Sequence, residues 1–185
     1  MPDPTTQPLQ PPLVCPRRRR KPEPPLPIII DTREQRPYSF LHLRADTTRG
    51  GGLVSVEITR LPLPTGDYSI VGLDDEIAIE RKSGEDLYST IGQGRRRFER
   101  ELERLGGLAA AFVVCEIDWQ TMLDRPPRHS KLTIKTVMRS VIAWQLRYPN
   151  IHWWMLPGRA MAEAVTFRLL DRYWRLAQKR GKNDA

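Results

Sequence analysis

The chain has 185 residues and a formal charge of +8, with an isoelectric point near 9.9, so it has room for one domain with a real core and favours a polyanionic partner. Its two cysteines, Cys15 and Cys115, lie far apart, and its three histidines, His42, His129 and His152, are scattered, which argues against a disulfide scaffold, a zinc pattern or a histidine metal centre. No apolar run is long enough to cross a bilayer, and proline and polar residues fill the place of a signal peptide's apolar core, so the chain reads as intracellular and soluble, with no membrane partner.

Residues 1–26 are rich in proline around Arg17-Arg-Arg-Arg-Lys21. Proline at this density removes backbone donors and blocks helix, so a disordered basic tail is expected. It reads as a DNA tether, as a nuclear import signal if the source is eukaryotic, or as a solubilising tail. From Pro27 the pattern changes to alternating strands and helices. Ile28 to Asp31 is a short buried strand with a charged end. Leu41 to Gly52 reads as loop or irregular helix closing in Gly50-Gly-Gly52. Val54, Val56 and Ile58 then alternate with Ser55, Glu57 and Thr59, the period of a half-buried strand. Leu61-Pro-Leu-Pro64 and Gly66 turn the chain into Tyr68-Ser-Ile-Val71, and a loop leads to a strand over Ile77 to Lys82. A local hairpin from about Leu53 to Lys82 is expected.

Alternate side chains of a strand share a face. Ile77, Ile79 and Arg81 therefore point one way, and Ala78, Glu80 and Lys82 the other. After Ser83-Gly84, Leu87 and Ile91 mark a short helix with Glu85 and Asp86 at its positive end. Gly92 and Gly94 interrupt it, and Phe98, Leu102 and Leu105 recur at helical spacing in a second helix. That helix opens with Arg95, Arg96 and Arg97, a cluster that meets DNA if the first helix packs back on the strand and is otherwise a solvated face. Phe112 to Glu116 is an apolar strand suited to mid-sheet. Arg125 to Ser130 is loop. Ile134, Val137, Val141 and Gln145 share a helical face, widened by Met138, Ile142 and Trp144. Ile151 to Met155 is a last strand, and Met161, Val165, Leu169, Tyr173 and Leu176 define a final helix before a short polar tail at 179–185.

The chemistry gathers around Asp67, Glu80 and Lys82. Two carboxylates hold a hard cation such as Mg²⁺ or Mn²⁺ by oxygen, while a lysine beside them orients an attacking water or stabilises charge on phosphate. A Glu-x-Lys triplet alone is a weak signal. Gly66-Asp67-Tyr68 upstream and Asp86 downstream strengthen it. With Ile28-Ile-Ile-Asp-Thr-Arg-Glu34, Glu80-Arg81-Lys82, Gly94-Arg95 and Phe112-Val-Val-Cys-Glu116 in order, the sequence resembles the nuclease domain of the XPF family of structure-specific endonucleases, which includes the archaeal Hef nucleases.

The resemblance covers roughly residues 27–178. It implies a restriction-endonuclease-like α/β domain, with a central mixed sheet flanked by helices and the carboxylate-bearing strands in the middle. It also implies a metal-dependent endonuclease acting near branched, flap or fork DNA, in repair or recombination. On this reading Asp67 and Glu80 bind the metal with a backbone carbonyl near Arg81, and Lys82 assists the water. Asp31 and Glu34 lie at the edge of the site, holding a second ion or orienting Lys82 or a water. Asp86 supports the site or simply starts a helix. Arg33, Arg81 and Arg95 hold phosphate or neighbouring carboxylates, with Arg96 and Arg97 beside DNA. The family dimerises through the last two helices, which here carry Trp144, Tyr148, Phe167, Tyr173 and Trp174, so a homodimer or heterodimer is implied; the alternative is that these residues complete the core. The tandem helix-hairpin-helix module of many larger members has no room after Trp174. Competing readings are a non-catalytic DNA-binding subunit, a restriction-type nuclease and, more distantly, an RNA-binding protein.

Overall fold

The structure is a computed structural model, which describes residues 24–44, 53–125 and 130–183. Most of the basic tail, the Gly50-Gly-Gly52 run and residues 126–129 lie outside the described residues. Six strands form one sheet: β1 (Leu26–Asp31), β2 (Val56–Leu61), β3 (Tyr68–Ile70), β4 (Ile77–Lys82), β5 (Ala110–Cys115) and β6 (Ile151–Met155). Five helices accompany them among the described residues: α1 (Gly84–Ile91), α2 (Arg95–Leu105), α3 (Trp119–Asp124), α4 (Ile134–Arg147) and α5 (Arg159–Asn183). The first strand starts at Leu26, one residue before the expected domain edge. No helix among the described residues is long and apolar enough to cross a membrane.

The sheet order is β2-β1-β3-β4-β5-β6, and the sheet is mixed. Pairing is parallel for β1 with β2, β4 with β5 and β5 with β6, and antiparallel for β3 with both β1 and β4. The hairpin expected from Leu53 to Lys82 is therefore confined to β3 and β4. The strand before it crosses to the sheet edge and lies parallel to β1, Ile28 opposite Ile58. At that open edge β2 has a neighbour on one side only, and Ile58 and Leu61, which point to opposite faces of the strand, are both exposed despite their apolar character. Because β3 runs against its neighbours, the start of β3 and the ends of β1, β4 and β5 all lie at one end of the sheet, where strand termini bring polar residues together.

Each face of the sheet carries its own core. On one, Ala78, Val113, Cys115 and Ile151 pack against Leu87 and Ile91 of α1, Phe98, Leu102 and Leu105 of α2 and Val137 and Trp144 of α4. On the other, Ile28, Ile30, Ile70, Ile77 and Ile79 pack against Tyr38, Phe40 and, from α5, Ala162, Phe167 and Leu170. Helices on both faces bury the sheet as the composition of its strands requires. Side-chain caps start three of them: Ser83, Asp118 and Thr133 accept hydrogen bonds from the backbone N–H groups of Asp86, Thr121 and Thr136.

Two helical faces differ from the expected ones. In α4 the buried stripe is Val137, Ser140, Val141 and Trp144, which leaves Met138, Ile142 and Gln145 exposed with Leu146. In α5 the sheet takes Ala162, Thr166, Phe167 and Leu170, while Met161 and Leu176 face out. Both helices carry apolar residues over more than half their circumference, so periodicity does not choose the buried half.

Candidate active site

The polar end of the sheet opens into a cleft of about 320 Å³, walled on one side by α2 and lined by Asp31, Glu34, Asp67, Glu80 and Lys82 together with Arg97, Glu101 and Arg104. The alternation of β4 sets its floor. Glu80 and Lys82 share the face towards α2, where the Lys82 ammonium sits 2.7 Å from a Glu80 oxygen and 4.7 Å from the centre of the Phe98 ring. Arg81 turns to the opposite face, as the period of two demands.

Asp67 arrives from the turn before β3. Its backbone N–H donates to the Ile79 carbonyl at 2.8 Å, its carbonyl accepts from the Asp31 N–H at 2.9 Å, and its Oδ2 accepts from the Arg81 N–H at 2.7 Å. The residue thus knits β1 to β4 and places a carboxylate beside Glu80. Gly66 makes the turn possible. Its φ is +74°, and a Cβ there would lie 3.0 Å from the Ala78 Cβ and 3.2 Å from the Ile79 carbonyl oxygen. Gly66→Ala is therefore expected to cost about 2 kcal/mol from the left-handed conformation alone, more with the contact, and thermal melting will show the loss as a lower midpoint.

The electrostatics single out Asp67. Burial first, and then the negative charge of Glu80, push its carboxyl up to about 8, against the stabilising Arg81 N–H. Burial also raises Glu80, with Lys82 opposing. Burial works to lower the Lys82 ammonium, but the carboxylates around it outweigh that and hold it above its ordinary value. Two acids that resist ionisation side by side need more positive charge than one lysine supplies. Among the described residues no three His, Cys, Asp or Glu side chains form a metal cage. The oxygen pair Asp67 and Glu80 nevertheless fits Mg²⁺, which is commonly held by one or two carboxylates, waters and a substrate phosphate rather than by an all-protein cage.

The remaining expected residues divide. Asp31 lines the cleft, yet its two oxygens already accept four hydrogen bonds, three from Arg33 and one from the Leu63 N–H at 2.7 Å. Burial works against its charge, but these donors hold the carboxyl below its ordinary value. Arg33 is spent on Asp31 and on the Leu63 carbonyl at 2.8 Å, so the pair clasps the chain leading to Gly66 and Asp67. Glu34 is buried against Arg81, with contacts of 3.2 and 3.3 Å. Asp86 is exposed, hydrogen-bonded to Ser83 at the start of α1, and does not line the cleft.

Of the arginine cluster, only Arg97 reaches the cleft lining. Arg95 instead stacks its guanidinium 4.8 Å from the centre of the Trp144 ring, pairs with Glu99 at 3.0 Å and donates to Ser140 at 2.9 Å. Arg96 is exposed and outside the lining. Two acids have places in the structure that the sequence does not assign: Glu101, which no motif marks, and Glu116, which the sequence marks only as the end of a strand. Glu101 accepts from the Thr65 hydroxyl and, at 3.0 Å, from the Gly66 N–H, so α2 pins the turn that carries Asp67. Glu116, just past β5, pairs with Arg81 at 3.1 Å. Its place at a strand end was a signal; Glu101, one acid in a charged helix, carried none.

With this geometry in view, a family comparison decides the relationship: the model of the ERCC4 domain matches residues 30–168. The chain belongs to the ERCC4 domain family. This ERCC4 domain is an XPF-type nuclease domain with the restriction-endonuclease-like α/β fold. Among solved structures it is similar to XPF from Aeropyrum pernix, at 23% identity and a TM-score of 0.56, over 85% of this chain and 67% of that one. A second structure, XPF from Aeropyrum pernix in complex with DNA, matches at 22% identity and a TM-score of 0.52, over 84% of this chain and 66% of that one. The chain thus spans about two thirds of the length of these proteins. At such identities the likeness is one of fold. No curated protein matches the sequence.

Proposed function

We propose that this ERCC4 domain is a divalent-metal-dependent endodeoxyribonuclease that hydrolyses phosphodiester bonds near branched, flap or fork DNA, in repair or recombination. The observation that carries this reading is the buried Asp67–Glu80–Lys82 group on the cleft floor, with an Asp67 carboxyl held up to about 8. Asp67 and Glu80, with the Arg81 carbonyl, would hold Mg²⁺ or Mn²⁺. Such an ion supplies Lewis-acid stabilisation of the phosphoryl group under attack. Lys82, kept charged and anchored by Glu80, donates a hydrogen bond to a water or to a phosphate oxygen in the cleft. Arg97 on the facing helix binds the neighbouring backbone, adding charge where the strand must lie. Glu101 and the Asp31–Arg33 clasp keep the Asp67 turn in place. Asp31 would take a second ion only by giving up Arg33.

Cleavage of end-labelled flap, fork, duplex and single-stranded DNA with Mg²⁺, with Mn²⁺ and with EDTA tests the proposal. Metal-dependent cutting near the branch supports it. DNA binding without cutting under either metal would favour a non-catalytic DNA-binding subunit.

The pH dependence gives a second test. A carboxyl raised from 3.8 to about 8 contributes stability below the unfolded value, and that contribution is lost as pH rises through 8. Bound Mg²⁺ compensates the charge that appears. The rise in melting temperature on adding Mg²⁺ is therefore expected to be larger at pH 8.5 than at pH 6, and Asp67→Asn should flatten the difference. Equal rises at both pH values in the unsubstituted protein would contradict the assignment of Asp67 as a ligand.

We also propose a homodimer through the C-terminal part of the domain. Supporting it, Met138, Ile142 and Leu146 recur at a spacing of four along the outer face of α4, with Leu146 80% exposed, and Trp154 of the edge strand β6 is exposed as well. Ile142→Glu is expected to convert a dimer into a folded monomer in light scattering; a monomeric unsubstituted protein would rule this arrangement out.

A further inference from the structure

Behind the cleft, on the face of the sheet opposite Glu80 and Lys82, four charged side chains form an alternating chain. Glu34 holds the Nε and Nη2 atoms of Arg81 at 3.2 and 3.3 Å. The Arg81 Nη1 reaches Glu116 Oε1 at 3.1 Å, and Arg159 Nη1 reaches the same oxygen at 3.0 Å. The chain runs from the interior outwards: the side chains of Glu34 and Arg81 are 7% exposed, Glu116 11% and Arg159 38%. Its two inner members matter to the cleft. Glu34 lines it, and the Arg81 backbone N–H is the donor that fixes Asp67.

Arg159 is an odd residue to find where it is. It opens α5, where a cation opposes the helix dipole, and no acid stands in that first turn. Both terminal nitrogens of its guanidinium are instead engaged outside the helix. Nη2 donates to the Arg36 and Pro37 carbonyls at 2.9 and 2.7 Å, and the group lies 4.8 Å from the centre of the Tyr38 ring. This fork is rigid, and it fixes the segment just after Glu34 at the same time as it compensates Glu116.

We propose that Arg159 is a positioning residue for the cleavage site, acting through Glu116 and Arg81 to keep Glu34 out of the metal position. The step rests on the nuclease reading above. Arg81 faces two buried carboxylates with a single guanidinium. While Arg159 neutralises Glu116, Arg81 can give two of its nitrogens to Glu34. Without Arg159, Glu116 is a buried acid with Arg81 as its one remaining cation and draws Arg81 towards itself. Glu34 is then released into a cleft already crowded with negative charge, and the Arg81 N–H bond to Asp67 is disturbed.

The test uses the full chain as wild type, Arg159→Ala, Arg159→Lys, Glu116→Gln and the double variant. Arg159→Ala is expected to lower kcat on fork DNA about tenfold, leave KM nearly unchanged and alter the Mg²⁺ concentration needed for half activity. Removing the charge it serves should remove the need for it, so Glu116→Gln/Arg159→Ala should lie within about threefold of Glu116→Gln alone. Arg159→Lys, which keeps the charge but not the fork, should fall between. A readout independent of cleavage is the Arg81 Nε–H resonance, assigned by its loss in Arg81→Lys; it should be protected from solvent exchange in the wild type and lose protection in Arg159→Ala. Unchanged kcat with an unchanged resonance overturns the proposal. So does a rise in KM alone, which would mark Arg159 as a phosphate contact, or additive losses in the double variant. Were the wild type to cut no DNA, the nuclease reading would fail, and the resonance would still decide whether Arg159 positions Arg81. Were Arg159→Ala not to fold, the lysine and double variants carry the same comparison.

Discussion

Glu80→Gln is expected to lower metal-dependent cleavage at least about 100-fold, the scale seen when a preorganised charge at a reacting group is removed, while DNA affinity stays within a few-fold. The substitution keeps shape and volume and removes one negative charge. On the proposed reading Glu80 does two jobs on the cleft floor: with Asp67 it would provide the oxygen pair for a hard cation, and it anchors the Lys82 ammonium at 2.7 Å. The amide weakens both at once. DNA affinity should survive because the proposed phosphate contacts lie elsewhere, on Arg97 and the other surface arginines, and loss of an acid in the cleft does not oppose a polyanion. Asp67→Asn should behave alike. Cleavage rates beside binding isotherms, for both variants and the parent, make the check. Cleavage at the parent's rate by either variant would remove that residue from the metal site.

The same residues show how far local sequence reasoning reaches. The period of two along Ile77 to Lys82 separates Glu80 and Lys82 from Arg81, and the structure keeps that separation, with Arg81 buried against Glu34 and Glu116 on the far face. Gly66-Asp67 reads as a turn before a strand, and Gly66 has the positive φ that only glycine takes freely. What failed was long-range. The segment between β1 and β2 carries a crossover that makes the two strands parallel neighbours, and no periodicity inside either strand encodes a partner more than twenty residues away. Arg95 shows a second limit. Its place after Gly94 suggested a role at DNA, but Trp144 from α4 offers an aromatic face and Ser140 an acceptor, and these set its orientation. Arg97, two positions on, turns towards the cleft. Likewise, the partners of Glu101 and Glu116 come from distant segments, so their roles are visible only once the sheet has brought the elements together.

Arg81→Met is expected to cause a large loss of stability, about 3–5 kcal/mol, because it strips the partner from a buried charge. For a domain of this size that corresponds to a fall of roughly 6–20 °C in the melting midpoint. Methionine fills much of the aliphatic stem's volume, so the loss is electrostatic rather than a cavity effect. Glu34 and Glu116 are both buried, and Arg81 bridges them; burial disfavours its charge, but the two carboxylates outweigh that and raise it above its ordinary value. With Arg81 gone, Glu34 keeps only the Arg36 N–H, at 2.5 Å, while Glu116 keeps Arg159. The asymmetry yields a finer expectation: adding Glu34→Gln to Arg81→Met should recover more stability than adding Glu116→Gln, since Glu34 is the acid left without a cation. Thermal or denaturant unfolding of the three variants settles the order. Equal recovery by both glutamines would mean that Arg159 does not compensate Glu116 by itself, and that Arg81 divides its charge evenly between the two acids.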